Sequence, residues 1–201
     1  TLNIDIKHTR DLLQDLDFKT LFNELGWSRP KNPRPVEMVI QNVSYTRKEI
    51  AELAGVAIFE IEAQDGKIPD AKLRRAIHHE ISPHENLLIF LDADRTQSLW
   101  YWVKREGVKP FPREHLYVKG QPGDLSLGKL EAMVFDVGDF DESGNAPDVL
   151  EVARRLKDAL DVERVTKRFY EDFRKEHLRF LEYIGGIDDD RDRRWYASVL
   201  L

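Results

Sequence analysis

Five consecutive apolar residues, Leu87, Leu88, Ile89, Phe90 and Leu91, constrain this chain more than any other stretch. An extended strand sends successive side chains to opposite faces, so a strand that is apolar at every position needs cover on both sides. That points to a sheet packed between helices. Around this strand, alternating and helical patterns follow one another along the chain, as an α/β fold requires.

The segment HTRDLLQDLDFKTLFNELGW places Leu12, Leu13, Leu16, Phe18, Leu21, Phe22 and Leu25 near helical spacing, with Thr9 as cap and Gly26 as terminator. Pro30, Pro33 and Pro35 make an extended connector. VEMVIQNV and YTRKEIAELAGVAIFEIEA read as three strands, with Ala54-Gly55 as a tight turn and Asp65-Gly66 as another. PDAKLRRAIHHEIS is a helix with Leu73, Ile77 and Ile81 on one face, ended by Pro83. SLWYWVKRE and EHLYVKG are further strands, and LSLGKLEAMVF a helix. From Asp148 onward the pattern is helical, first with Val149, Val152, Leu156 and Leu160. A second stripe follows over Val162, Val165, Phe169, Phe173, Phe180 and Ile184. We therefore expect an α/β domain over residues 1–140 and a helical connector over 146–201.

Composition narrows the functional classes. No cysteine is present, which excludes thiolate metal sites and disulfides and fits a reducing cytoplasm. A formal charge of −6 argues against holding nucleic acid by bulk electrostatics, though not against a local basic strip. The chain closes on RRWYASVLL, an apolar, helix-competent run without a breaker, so we expect it to continue into a longer protein.

Glu60 and Glu62, two apart on a strand, share a face. A two-residue turn at Ala54-Gly55 pairs Glu49 with Glu60 and Arg47 with Glu62. Like charges directly opposite need Arg47, a proton, solvent or a cation between them. A hard cation such as Mg²⁺, held by Glu49 and Glu60, would bind a scissile phosphate and activate water. Glu24, near the end of the first helix, is a candidate accessory acid. The same acids also describe a solvated strand face stabilised by Arg47, and this plainer arrangement carries more weight than an active metal site.

Other constellations are weaker. In HHEISPHE, His79 and His84 are five apart with Pro83 between them, and His78 and His79 diverge by about 100° on a helix, so zincin geometry fails. Trp100, Tyr101, Trp102, Phe111 and Tyr117 interleave with Lys104, Arg105, Lys109, Arg113 and Lys119. Aromatics with cations suit stacking on bases and contact with phosphate, yet a core-facing hairpin explains them better. Arg47, Lys67, Lys104, Arg105, Lys109 and Arg113 are the candidate DNA contacts. Charges on the long C-terminal helix, Arg164, Arg168, Lys175 and Arg179 among Glu163, Glu171, Asp172 and Glu176, read as a salt-bridged solvent face.

The order of helix, three-stranded meander, helix and buried strand resembles the core of PD-(D/E)XK nucleases. In addition, HTRDLLQDLDFKTLFNELGW, GVAIFEIEAQDGKIPD, ENLLIFLDADRTQSLWYWVKREG, HLYVKGQPGD, ALDVERVTKRFYEDF and GIDDDRDRRWYASVLL are similar to the N-terminal region of fused type IIG restriction–modification proteins. The resemblance implies a nuclease-like head on double-stranded DNA, then an S-adenosylmethionine-dependent adenine-N6 methyltransferase downstream. The methyltransferase motifs are absent from these residues: Asn32-Pro33 is followed by Arg34. On the nuclease pattern, Glu49, Glu60 and Glu62 occupy the acidic positions, with Glu62 where a lysine belongs and Arg47 or Lys67 as substitutes. A non-catalytic module docking on DNA or a partner subunit is the alternative.

Overall fold

The computed structural model describes residues 5–81, 85–104, 111–140 and 147–160, with a few isolated positions beside these. Two helices open the chain, α1 (Ile6–Asp15) and α2 (Phe18–Glu24). The expected single helix is broken because Leu16 takes a left-handed conformation (φ 56°), and each piece has its own aspartate cap. The Asp5 side chain accepts from the backbone N–H groups of Lys7 and His8, and that of Asp17 from Thr20. Two short caps displace the one expected at Thr9, which is buried inside α1.

A six-stranded sheet follows in sequential order: β1 (Val36–Ile40), β2 (Val43–Leu53), β3 (Val56–Ala63), β4 (Asn86–Leu91), β5 (Gln97–Lys104) and β6 (Phe111–Val118). Neighbouring strands are antiparallel except β3 and β4. That parallel pair is joined across the sheet by α3 (Ala71–Ile81), as a parallel connection demands. The Ala54-Gly55 turn is present with both residues at positive φ, 52° and 86°, the geometry of a two-residue hairpin.

Helices cover both faces, as the apolar run at β4 requires. On one side Leu87, Ile89 and Leu91 pack with Ile58, Trp100 and Trp102 against Leu13, Phe18, Phe22, Leu130 and Val152. On the other, Leu88 and Phe90 pack with Phe59, Ile61 and Tyr101 against Ile77 and Ile81 of α3. The first face carries α1, α2, α4 (Asp124–Glu131) and α5 (Val149–Leu160). The helix that opens the expected connector thus buries Val152, Leu156 and Leu160 in the core of the sheet domain. The first compact unit accordingly runs to Leu160. Of the second helical stripe, only Phe180 falls among the described residues.

Helix α5 is fastened by Arg155. Its guanidinium donates to the Val134 carbonyl oxygen (2.7 Å), pairs with Asp139 and lies 4.5 Å from the centroid of the Phe135 ring. Among the described residues no helix is long and apolar enough to cross a membrane.

Candidate functional site

The β2–β3 hairpin decides where the acids go. From the turn, Leu53 pairs with Val56, Glu52 with Ala57 and Ala51 with Ile58, as a regular hairpin would have it. Then Glu49, not Ile50, pairs with Phe59: Ile50 is the extra residue of a β-bulge. Every position before it changes face. Lys48 stands across from Glu60, Thr46 from Glu62, Glu49 from Phe59 and Arg47 from Ile61.

The expected pairing of Glu49 with Glu60 and Arg47 with Glu62 is therefore corrected, and its physical reason is visible. Unbulged, the strand would oppose two glutamates and would turn Tyr45 away from the α3 side. With the bulge, Tyr45 is 1% exposed among the α3-side apolar residues, Ile50 joins the opposite core, and Glu60 faces a lysine. Apolar burial and charge pairing favour the same register.

Glu60 lies on the face covered by α1 and α2. It is 8% exposed, and burial pushes its carboxyl up, while Arg95 and Lys48 pull it down. Arg95 reaches it at 3.5 Å, donates to Glu62 at 2.9 Å and also donates to the Leu16 carbonyl oxygen at 2.9 Å. The broken helix supplies that last acceptor, because Leu16 ends α1.

Arg95 is itself aimed by its turn. The Asp92 carboxylate accepts from the backbone N–H groups of Thr96 (2.8 Å) and Gln97 (2.9 Å), closing a loop in which Arg95 has φ 48°. Ala93 donates to the Gly66 carbonyl oxygen (3.0 Å), joining this loop to the turn after β3. Two residues absent from the sequence expectations, Lys48 and Arg95, thus neutralise the buried acid. The alternation of opposite charges across the hairpin would have revealed Lys48 once a bulge was allowed. Arg95 carries no local signal beyond its Asp-x-x-Arg-Thr turn.

On the opposite face, Glu49 lines a cleft of about 370 Å³ with Arg47, Glu52, Ala57, Phe59, Ile81 and Asn86. Arg47 lies over the Phe59 ring at 5.1 Å, and burial, then Glu52, raises the Glu49 carboxyl. Glu49 and Glu60 are thus on opposite sides of the sheet and cannot hold one Mg²⁺ between them. Glu24 pairs instead with His8 at 2.9 Å on the surface of α1 and α2. Among the described residues no group of three or more His, Asp or Glu is placed to hold a metal ion.

Among the described residues, the candidate DNA contacts Arg47, Lys67 and Arg113 do not form one strip. Arg47 is on the α3 face, whereas Arg113 pairs with Trp102 and so takes the other. Lys67 is exposed in the loop after β3. Arg105 and Lys109, and the side chain of Lys104, lie outside the described residues. In the expected aromatic hairpin, Trp100, Tyr101, Trp102 and Tyr117 are all buried in the core, so they are not a stacking surface. His78 packs by Tyr101 at the end of α3, and His84 lies outside the described residues.

A second cleft, about 360 Å³, opens on the α2 side. Lys19, Thr20, Asn23, Ser28 and Arg29 line it, with Ile50 of the bulge at its base.

No protein-family profile, no curated protein and no solved structure matches this chain.

Proposed function

We propose that this chain is a PD-(D/E)XK-like head of a DNA restriction–modification protein, one that associates with DNA and has lost Mg²⁺-dependent cleavage. In this reading the adenine-N6 methyltransferase and its S-adenosylmethionine belong to a downstream domain. The observation that supports the reading best is the immediate surroundings of Glu60. A Glu-x-Glu pair sits on the third strand of a meander that leads through a helix into a buried parallel strand. The buried member of that pair meets Arg95 and Lys48 where a nuclease would place a divalent cation.

Such a site keeps the outline of a cleavage centre with its charge already balanced. A cation entering it would have to displace a guanidinium held by three oxygens, those of Glu60, Glu62 and Leu16. The expected pair of ligands, Glu49 and Glu60, does not fit one ion, so no hydrolytic step is assigned to them.

A plasmid-nicking assay with Mg²⁺ or Mn²⁺, run beside a duplex-binding assay at low ionic strength, tests this reading. Salt-sensitive binding without nicking is expected; metal-dependent nicking abolished by Glu60→Ala would overturn the loss of cleavage. A second reading, a module docking on a partner subunit, draws on Phe111 and Leu116. These are 57% and 48% exposed on the edge strand β6. It would stand if the chain bound no DNA at any ionic strength.

A further inference from the structure

We infer that the cleft between α2 and the bulge of β2 is a phosphodiester-binding site, with Lys19 and Arg29 as its two cationic contacts. This rests on the proposed association with DNA and adds to it the residues that make the contact. Of the expected DNA-binding residues that are described, Arg47 and Arg113 fall on opposite faces of the sheet, whereas this cleft gathers two cations at one place.

The lining itself is selective. Lys19, Thr20 and Asn23 lie on one exposed side of α2, and Ser28 and Arg29 follow where the chain turns back along β2. Two cations and three uncharged hydrogen-bonding side chains surround the cleft, and among the described residues no carboxylate lines it. Neither Lys19 nor Arg29 has an ion-pair partner among the described residues. In a chain of net charge −6, two cations without ion-pair partners brought to one concavity attract an anion.

Ile50 belongs to the core on the α1–α2 side, so the cleft and Glu60 occupy the same side of the sheet. A duplex laid along this side would present its backbone to Lys19 and Arg29. The amide of Asn23 and the hydroxyl of Ser28 can donate to phosphate oxygens, which fixes register without reading sequence. The Thr20 hydroxyl is already committed to Asp17 at 2.6 Å, which leaves the two cations and the two other polar groups to the ligand.

The experiment measures binding of the whole 201-residue chain to a short duplex over a series of salt concentrations. Each phosphate neutralised contributes roughly 0.9 to the slope of log K against log salt, so Lys19→Gln with Arg29→Gln lowers its magnitude by about 2. Lys72→Gln, on exposed α3 at the other face, leaves the slope as it was. An unchanged slope in the double variant, with its melting curve intact, overturns the cleft as the site while leaving DNA association standing. Absence of duplex binding by the unaltered chain overturns both.

Discussion

Lys48 and Glu60 are cross-strand partners, and one bulged residue, Ile50, is what makes them so. Between Arg95 and Lys48 the acid finds enough positive charge to remain in a place that otherwise disfavours it, yet burial still outweighs them and its carboxyl is raised.

Stability should therefore respond to Glu60 with a definite sign. A raised carboxyl binds protons more readily folded than unfolded, so the folded state gains at acid pH and gives up that gain as pH rises through the folded value. At neutral pH, Glu60→Gln is expected to raise the Tm, and the advantage to shrink as the pH falls into the ordinary carboxylate range. Thermal melts of both proteins across that range check it; a lower Tm at neutral pH would contradict the account.

Arg95 should depend on Glu60 for much of its effect. Arg95→Gln is expected to cost about 1–2 kcal/mol, since it removes a donor to the Leu16 carbonyl oxygen and strands a buried acid. In a Glu60→Gln background the loss should be smaller. A double-mutant cycle by chemical denaturation measures the difference, and strict additivity would refute the coupling.

His115 predicts the opposite slope with pH. Burial, with Lys129 assisting, lowers it to about 4, and its Nε2 lies 2.8 Å from the Ser126 hydroxyl oxygen. The imidazole is neutral in the fold while the unfolded chain protonates below its ordinary 6.5, so stability is lost as pH falls from about 6.5 toward about 4. His115→Gln should flatten the pH dependence in that window, read from the denaturation midpoint at several pH values.

Gly26 should be irreplaceable on structural grounds. Its φ is +89°, and a Cβ there would sit 1.9 Å from the Phe135 carbonyl oxygen. The Phe135 N–H meanwhile donates to the Leu25 carbonyl oxygen at 2.8 Å, so that backbone cannot retreat cheaply. Gly26→Ala is expected to cost about 3 kcal/mol or more, combining left-handed strain with overlap, and urea denaturation would show it.

Millimolar Mg²⁺ should leave the Tm of the unaltered chain in place, because Glu49 and Glu60 do not share a face. Stabilisation by Mg²⁺ that Glu49→Ala and Glu60→Ala each abolished would require the two acids to meet and would sink the observed register.

How much of this was legible in the sequence depends on the range of the interaction involved. The unbroken apolar run at Leu87–Leu91 announced a strand covered on both faces, and Ala54-Gly55 announced the hairpin turn. Both signals are local. The break at Leu16 was hidden because apolar spacing continues across it, and only the aspartates at 5 and 17 hint at two caps. The bulge was hidden for a different reason. Its cause lies in packing of Tyr45 and Ile50 on opposite cores and in charges on a neighbouring strand, which strict alternation along β2 cannot express. One misplaced residue then sent Glu49 and Arg47 to the wrong side and concealed Lys48.

Because Ile50 takes up chain without taking up a rung of the ladder, the two halves of β2 are out of phase with each other. Before it, odd-numbered positions look toward α3; after it, odd-numbered positions look toward α1 and α2. Tolerance to polar substitution along this strand will thus invert its parity at residue 50. Any comparison of β2 with another hairpin must be aligned by rung rather than by count.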